Sequence, residues 1–308
     1  MPSRWVRVQF RFCGICGSDL SKFEGRRSIS YPESLGHEFV GEILAVGDGV
    51  DHLEPGDVVT SDLNFRCGRC DQCRLGRSHL CRDNQVGLFT NRAFSQIGDF
   101  HVDYLLAIEG PPAAHLALAE PLSCVLHAKE WAAPRPGERI LVLGAGGLGS
   151  CMAFALSQED PKLEFSITDL ASRRLSSVAS AVGPKGAALV EPQGEYDVVF
   201  DLSGSESGLR TATERVKPGG RLCTMSHLDG YATADFLLGA LTRRDVAFKV
   251  SYLNGEPRNL VRATRLLQRH WQPAWDALIE IVPLGELSAA FANRRDSDWC
   301  KTIVEITA

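Results

Sequence analysis

Short apolar runs alternate with amphipathic stretches over the second half of the chain. The runs have the length of buried β-strands, and they lie at 139–143, 164–168, 196–200, 221–225 and 247–252. Stretches with helical periodicity lie around and between them, at 121–132, 173–182, 209–216 and 258–269. Strands that alternate with helices form a parallel sheet with crossover helices. The pattern therefore predicts an α/β fold built on a doubly wound parallel sheet.

The first third of the chain has a different pattern. It combines strand-like runs at 6–10 and 39–46 with many glycines and turn signals such as 54–57. The end of the chain is irregular again and finishes on an apolar run at 302–306. We expect two domains: residues 1–121, rejoined by 270–308, form a strand-rich domain, and residues 122–269 form the doubly wound one.

Composition and charge narrow the class of protein. The chain has 308 residues, of which 44% are hydrophobic and 23% charged, which is typical of globular proteins. Its 33 Lys and Arg against 38 Asp and Glu give a net charge of −5, which argues against nucleic-acid or membrane-surface partners. The chain contains no 18-residue apolar run, and its start lacks the apolar core of a signal peptide. We expect a cytoplasmic protein.

A glycine-rich segment follows the apolar run at 139–143 and opens a helical stretch. In G-x-G-x-x-G segments of this context, the glycines permit a tight turn, close approach of a pyrophosphate and close packing of helix on strand. The amino end of the helix then supplies N–H groups to the anion. This indicates a dinucleotide site at Gly144, Gly146, Gly147, Leu148 and Gly149.

Asp169 ends the next predicted strand, where a carboxylate can accept both ribose hydroxyls of the adenosine. A carboxylate there repels a 2′-phosphate, so NAD is favoured over NADP. Arg173 and Arg174 follow closely. They either form a solvated first turn of helix or offer a positive charge to the cofactor, and we include Arg174 among the cofactor-binding candidates.

A polar loop contains four cysteines in the pattern C-x2-C-x2-C-x7-C. Four thiolates with such short spacers can surround a tetrahedral zinc ion. An iron–sulfur cluster is the rival interpretation, but the bacterial ferredoxin pattern ends with a three-residue spacer followed by Pro. We therefore predict a structural zinc ion at Cys67, Cys70, Cys73 and Cys81.

Other candidate ligands are dispersed, and their spacing alone decides nothing. Together with the features above, however, several segments resemble the zinc-dependent medium-chain dehydrogenase/reductase family of alcohol and polyol dehydrogenases. Besides the cysteine loop and the glycine turn, the matching segments are Gly14-Ile15-Cys16-Gly17-Ser18-Asp19, Gly36-His37-Glu38-Phe39-Val40-Gly41, Glu120-Pro121-Leu122-Ser123 and Lys217-Pro218-Gly219-Gly220-Arg221. They occur in the family's order over nearly the whole chain.

The resemblance implies a GroES-like catalytic domain beside a Rossmann domain. It also implies a catalytic zinc ion held by Cys16, His37 and Glu120, with one position open for water or substrate. Cys124, one helical turn after Glu120, is a rival ligand. With the cysteine loop, this gives two zinc ions per chain.

Neighbours of these ligands have supporting roles in the resemblance. Asp19 and Glu38 orient the ligands, and Glu38 is also an occasional ligand. Ser18 corresponds to the proton-relay hydroxyl of the family. Ser21 stands where many alcohol dehydrogenases have a histidine that passes the proton to solvent, so the relay must end differently here.

The resulting hypothesis is a zinc-dependent oxidoreductase that transfers a hydride between NAD and a secondary alcohol or the corresponding ketone. A polyol, cyclitol or amino alcohol is favoured as substrate, and the loop 88–96 is a candidate for contacting it. The alternatives are a dehydrogenase of simple alcohols and a non-catalytic protein that retains NAD and zinc. The resemblance also implies a homodimer or homotetramer.

Overall fold

The computed structural model describes residues 1–28, 34–62, 64, 66–83, 93–226, 234–294 and 297–307. Within these ranges the strands, numbered in chain order, are β1 (Trp5–Gly14), β2 (Glu38–Val46), β3 (Val58–Ser61), β4 (Ile97–His101), β5 (Leu105–Ile108), β6 (Ile140–Leu143), β7 (Phe165–Thr168), β8 (Gly186–Ala188), β9 (Tyr196–Asp201), β10 (Val216–Thr224), β11 (Ala247–Val250), β12 (Ile279–Pro283) and β13 (Lys301–Glu305).

The α-helices in the same ranges are α1 (Gly17–Phe23), α2 (Asp71–Arg74), α3 (Ala119–Ala132), α4 (Gly147–Glu159), α5 (Ser172–Val182), α6 (Glu206–Arg215), α7 (Ala234–Arg243), α8 (Pro257–His270), α9 (Pro273–Asp276) and α10 (Leu287–Asn293). Short 3-10 helices lie at Ser78–Leu80, Val102–Tyr104, Ala114–Leu118, Gly183–Lys185 and Leu284–Glu286.

The first sheet combines strands from both ends of the chain. Its order is β12-β13-β1-β2-β3-β5, and β4 also pairs with β1. β1 begins with alternating buried side chains, Val6, Val8 and Phe10, so one of its faces lies on a core and the other is more exposed. β13 runs antiparallel to β1, with Cys13 opposite Val304. Lys301 of β13 therefore lies in the same sheet as the strands that precede Cys16 and follow His37.

The second sheet is parallel throughout and has the order β11-β10-β9-β6-β7-β8. All four residues of β6 are buried, as expected for a strand with helices packed on both faces. The order reverses between β6 and β9, and ligands of such sheets bind outside the carboxyl ends of the strands at this switch point. The predicted α/β fold, with a doubly wound sheet and a separate strand-rich part, is confirmed.

Element bounds differ from the sequence prediction where a loop residue makes an unexpected hydrogen bond. Helix α6 begins three residues before the predicted 209, because the Ser205 hydroxyl caps it by accepting from the Gly208 N–H at 3.0 Å. It ends at Arg215 because Val216 already pairs with Tyr196 of β9. Helix α7 was not predicted from the sequence.

Candidate metal and cofactor sites

The glycine turn lies between the carboxyl end of β6 and the amino end of α4. Gly144 has φ of +96°, which a residue with a side chain rarely adopts. A Cβ on Gly149 would overlap the Gly144 carbonyl, so the helix crosses the strand at a distance that only glycine permits. A Cβ on Gly146, in contrast, would have nothing within 4 Å. The turn therefore borders open space at a helix amino end, as an anion site requires.

Asp169 follows β7 and lies directly at this turn. One carboxylate oxygen accepts from the Ala145 N–H at 2.6 Å, and the other accepts from the Ala171 N–H at 2.7 Å. Arg174 Nη1 lies 3.9 Å from the carboxylate. The Arg174 Nε donates to the Ser297 carbonyl at 3.0 Å. This guanidinium therefore joins α5 to the segment that precedes β13.

The neighbouring Arg173 is more exposed than Arg174. Its guanidinium lies over the Trp299 ring, with Cζ 4.8 Å from the ring centre, and 4.0 Å from Asp298. Both arginines of the first turn of α5 thus contact the segment 297–299. The sequence analysis considered a solvated helix turn or a positive charge for the cofactor, and neither alternative included this contact.

The four loop cysteines converge on one point. Their sulfur atoms all lie within 4.8 Å of one another, and all ten cysteines of the chain are free thiols. Backbone N–H groups point at the sulfurs: Cys67 N lies 3.3 Å from Cys81 Sγ, and Cys70 N lies 3.3 Å from Cys67 Sγ. The four sulfur atoms are thus close enough to bind one ion, and backbone N–H groups point at Cys67 and Cys81 among them.

The thiols of the cluster share protons unequally. The Cys73 and Arg82 backbone N–H groups lower the pKa of the Cys70 thiol to about 6, whereas burial and a hydrogen bond with Cys70 raise the pKa of Cys73 to about 12. Cys70 therefore loses its proton most readily, and the fit to a metal rests on the grouping of the four sulfur atoms. Four soft sulfur donors whose atoms all lie within 4.8 Å of one another suit zinc, and such sites contribute folding energy directly. The residues present therefore fit a structural zinc ion.

A second group of potential ligands forms where β1 and β2 pair. Cys16 precedes α1, His37 precedes β2, and Glu38 begins β2 opposite Gly14 of β1. One ligand atom from each of Cys16, His37 and Glu38 lies within 4.8 Å of the others. A thiol, an imidazole and a carboxylate in such proximity fit the donor set of a catalytic zinc site.

Asp19 holds two of these residues in place. Its carboxylate accepts from the Cys16 N–H at 3.2 Å and from the Gly36 N–H at 3.4 Å, and it lies 3.5 Å from His37 Nδ1. Burial tends to lower the pKa of His37, but Asp19 and Cys16 together raise it well above the usual value. Burial likewise opposes ionisation of Asp19, yet the nearby His37 lowers the pKa of that carboxyl. Asp19 thus lies beside the imidazole and the Cys16 backbone, where a carboxylate can orient metal ligands.

Glu120 lies beside this group but outside its tightest part. It is buried in the first turn of α3, and the Cys124 thiol donates to its Oε1 at 3.3 Å. Burial raises the pKa of Glu120 to about 7, with the Glu38 carboxylate adding to the effect and His37 opposing it. The carboxylate grouped with Cys16 and His37 is therefore that of Glu38, whereas the sequence analysis assigned Glu120 as the third ligand.

Lys301 lies between the group of Cys16, His37 and Glu38 and the glycine turn. The sequence analysis did not identify this residue. Its ammonium pairs with the Glu38 carboxylate. Its Cδ lies 3.2 Å from the position that a Cβ on Gly147 would take. Burial tends to lower the pKa of Lys301, but Glu38 raises it, so the pair is held as an ion pair. The available signal was a lysine directly before the apolar run of the last strand.

The structure says less about the predicted proton relay and the predicted substrate loop. Ser18 is partly buried as the second residue of α1, two positions after Cys16, and the Ser21 hydroxyl donates to the Gly17 carbonyl at 3.0 Å. Most of the loop 88–96, including Asn91 and Arg92, lies outside the described residues. Within the described part of the chain, no helix is both long and apolar enough to cross a membrane.

Comparisons with known proteins agree on one family. Residues 2–109 match the family model for the alcohol dehydrogenase GroES-like domain. The chain is 31% identical over 254 residues to an L-threonine 3-dehydrogenase of Cutibacterium acnes, covering 75% of this chain and 72% of that protein. It is 32% identical over 237 residues to a sorbitol dehydrogenase of Bacillus subtilis, covering 70% and 66%.

A solved structure has the same fold. The structure of a short chain alcohol dehydrogenase from E. coli, complexed with NADH, matches with a TM-score of 0.85 and 22% identity. The match covers 99% of this chain and 93% of that one. At this level of identity the likeness concerns the fold.

Proposed function

The chain belongs to the zinc-dependent medium-chain family of alcohol and polyol dehydrogenases, and on that premise we propose that it oxidises a secondary alcohol with NAD as hydride acceptor, or runs the reverse reaction. It is an oxidoreductase that acts on alcohols, and its family uses zinc and NAD(P). Beyond this family assignment, we propose which residues bind zinc and coenzyme, that the coenzyme is NAD, and which class of substrate is oxidised.

The observation that carries the proposal is the position of Lys301. Its ammonium pairs with Glu38, whose carboxylate lies within 4.8 Å of the Cys16 and His37 ligand atoms, and its stem lies beside Gly147 of the glycine turn. One side chain thus contacts both a donor set for zinc and the amino end of the helix that would bind a pyrophosphate. Hydride transfer needs these two sites next to each other.

The chain's own residues divide the chemistry between them. Cys16, His37 and a carboxylate would hold a zinc ion, which would supply the Lewis acidity that lowers the pKa of an alcohol hydroxyl. Asp19 holds His37 in the orientation for binding, and Ser18 accepts the hydroxyl proton and passes it towards solvent. In the proposed reaction the C–H bond of the carbinol carbon would break, its hydrogen and electron pair would pass to a nicotinamide ring of a coenzyme bound at the glycine turn, and a ketone would remain.

The coenzyme is proposed to lie along the carboxyl ends of the parallel strands. Gly144, Gly146, Gly147, Leu148 and Gly149 form the turn for its pyrophosphate. Asp169, at the adjacent strand end, is the partner for the adenosine ribose hydroxyls, and its negative charge favours NAD over NADP. Arg174 donates to the Ser297 carbonyl, which supports a role in holding the neighbouring segment more than in capturing a 2′-phosphate.

The names of the relatives support the substrate class. Threonine has a secondary hydroxyl beside an amino-bearing carbon, and sorbitol is a chain of hydroxyl-bearing carbons. We propose a substrate of this kind, a secondary alcohol with further hydroxyl or amino groups, for this chain. A site that bonds such groups discriminates against analogues that lack them by up to about 10⁴-fold.

We also propose a homo-oligomer that acts in the cytoplasm. β11 is an edge strand of the parallel sheet, and Val250 and Tyr252 at its end are 46% and 47% exposed. An apolar sheet edge favours pairing with a second copy. Five of the ten cysteines lie in the two groups of potential metal ligands, a use of cysteine that favours a reducing compartment. A mass equal to one chain in light scattering would exclude the oligomer.

The test is NADH formation, followed by absorbance, with sorbitol, threonine, cyclitols, propan-2-ol and ethanol at equal concentration. We expect the highest catalytic efficiency with a polyhydroxylated or amino-bearing secondary alcohol. Cys16→Ala should abolish turnover while the protein stays folded. Efficient ethanol oxidation would contradict the substrate class, and full activity of Cys16→Ala would contradict the assigned site.

A further inference from the structure

Asp201 is a buried carboxylate that none of the roles above uses. It is the last residue of β9 and is fully buried. Ser203 donates to one of its oxygens twice, from the hydroxyl at 2.6 Å and from the backbone N–H at 3.2 Å. The Thr224 hydroxyl donates to the other oxygen at 2.8 Å, and the Ser226 hydroxyl lies 3.4 Å from it. A buried carboxylate with this many donors is costly to disturb.

These donors come from two neighbouring strand ends. Ser203 lies in the loop after β9, whereas Thr224 ends β10 and Ser226 follows it. The Asp201 side chain therefore fastens both loops to the same edge of the sheet. This is the edge at which the glycine turn lies, since β9 pairs with β6 in parallel register and Asp201 stands opposite Leu143.

The loop after β9 rests directly on the glycine turn. A Cβ on Gly144 would lie 2.8 Å from the Leu202 carbonyl oxygen and 2.9 Å from Ser203 Cα. The Ser203 hydroxyl in turn accepts from the Ser205 N–H at 3.3 Å, and Ser205 caps α6. The position of the segment 202–205 therefore follows from the hydrogen bonds that Ser203 makes to Asp201.

We propose that Asp201 is a positioning residue for the dinucleotide. Through Ser203 and Thr224 it holds the segment 202–205 against Gly144, and this segment forms the wall of the crevice on the β9 side of the turn. Ligands of doubly wound sheets lie in this crevice. The inference rests on the proposed function, because the coenzyme must bind at the glycine turn.

The variant Asp201→Asn keeps the size of the side chain and removes one acceptor. The Thr224 hydroxyl already accepts from the Ser226 N–H at 3.1 Å, so its hydrogen is left without its carboxylate partner. Thr224→Val removes that donor alone. Asp197→Asn is the matched control, because Asp197 lies near the opposite end of β9 and accepts from the Arg139 N–H at 2.9 Å.

The experiment measures the dissociation constant for NADH by fluorescence titration, together with kcat and the melting temperature. For Asp201→Asn we expect an NADH dissociation constant raised by about 10-fold, and for Thr224→Val by about 3-fold. Once NADH is saturating, kcat should change by less than about 2-fold. Asp197→Asn should leave the NADH dissociation constant within about 2-fold, even where it lowers the melting temperature.

Different results overturn different statements. If Asp201→Asn binds NADH within 2-fold of the wild type, or if Asp197→Asn weakens binding as much, the positioning role is wrong and the proposed function stands. If Asp201→Asn does not fold, Thr224→Val decides by the same criterion. If the wild type binds no NADH at all, the cofactor site itself is wrong and both statements fail.

Discussion

Two buried carboxylates, Glu38 and Glu120, compete for the place of third ligand at the candidate catalytic metal site. Glu38 lies within 4.8 Å of the Cys16 and His37 ligand atoms but is paired with Lys301. Glu120 accepts a hydrogen bond from Cys124, and burial raises its pKa to about 7. Glu38 belongs to the tight group with Cys16 and His37, whereas Glu120 is engaged by Cys124 beside that group, so the geometry favours Glu38.

Matched glutamine variants separate the two carboxylates. Glu38→Gln should lower zinc affinity and catalytic efficiency by about 100-fold, because it removes a charged donor next to the other ligands. Glu120→Gln should lower them by less than about 10-fold. Zinc content after dialysis against a weak chelator, with turnover measured on the same samples, checks both. The reverse order of effects would assign the ligand to Glu120.

The coenzyme preference depends on one side chain. Asp169→Ser removes the negative charge that disfavours a 2′-phosphate, so the ratio of catalytic efficiencies for NAD and NADP should fall by at least about 10-fold. Because Asp169 also accepts from the Ala145 N–H, some loss of NAD binding should accompany the change. Steady-state kinetics with both coenzymes is the measurement. A wild type that prefers NADP would refute the assignment.

Individual site residues differ in how far the sequence could reveal them. Cys16, His37 and the glycine turn stand in short segments that resemble a family, and the structure places them at the edges of the two sheets. Lys301 and Asp201 were not identified. Both act through partners that are distant in sequence, Glu38 for one and Thr224 for the other, and local patterns do not record such pairings.

The cysteine loop has little regular secondary structure of its own. It contains α2, which has four residues, and one short 3-10 helix, so little regular structure holds it. On the proposed function, a zinc ion bound by the four thiolates would supply much of its order. The tight grouping of the sulfurs, all within 4.8 Å, fits that explanation.

Cys70→Ser should therefore remove one zinc ion of two and destabilise the protein. We expect the melting temperature to fall by more than about 5 °C, because metal-binding energy of the folded state is lost. Elemental analysis and thermal unfolding check this. The buried Cys223→Ser, away from both metal groups, is the control that keeps both zinc ions. A Cys70→Ser protein with two zinc ions would contradict the site.

Two histidines join the cysteine loop to helix α3. His79 of the loop packs against His127 of α3, with ring centres 4.9 Å apart, and Lys249 of β11 lies 3.2 Å from His127 Nε2. Burial, together with Lys249 and His79, lowers the pKa of His127 to about 4. The unfolded chain keeps a pKa near 6.5, so it binds a proton that the folded chain does not bind until about pH 4.

Stability should therefore fall as the pH decreases from about 6.5 to about 4. His127→Gln should reduce the loss of melting temperature between pH 7 and pH 5 by at least about 2 °C, equivalent to about 1 kcal/mol. His52→Gln, at an exposed histidine, should leave this loss unchanged. Thermal unfolding at the two pH values is the measurement. Equal losses in wild type and His127→Gln would show that His127 is protonated in the folded state.

Elements with strong patterns were predicted closely, and weak ones were missed. The fully apolar β6 was predicted to within one residue. α1 and α7 were not predicted from the sequence; α1 has only seven residues and lies among glycines, which weakens its helical pattern. β10 begins at Val216 because it pairs with Tyr196 across the sheet. That pairing is tertiary and leaves no local signal.

Over the whole molecule, the proposed function depends on two sheets whose candidate metal site and glycine turn lie on either side of Lys301. The first sheet carries the residues around Cys16 and His37, and the second carries the glycine turn and Asp169. β13 supplies Lys301, which contacts both. The apolar patterns predicted each sheet, but only the structure shows that a residue of the last strand lies between the two sites.

The most direct test of the account uses an alcohol with deuterium on the carbinol carbon, taken from the best substrate of the panel. With such a substrate, deuterium should appear at C4 of the nicotinamide in the reduced coenzyme, measured by mass spectrometry. Folded Cys16→Ala, which should still bind NADH, should transfer none. Reduced coenzyme without deuterium, or unchanged transfer by Cys16→Ala, would contradict hydride transfer at this site.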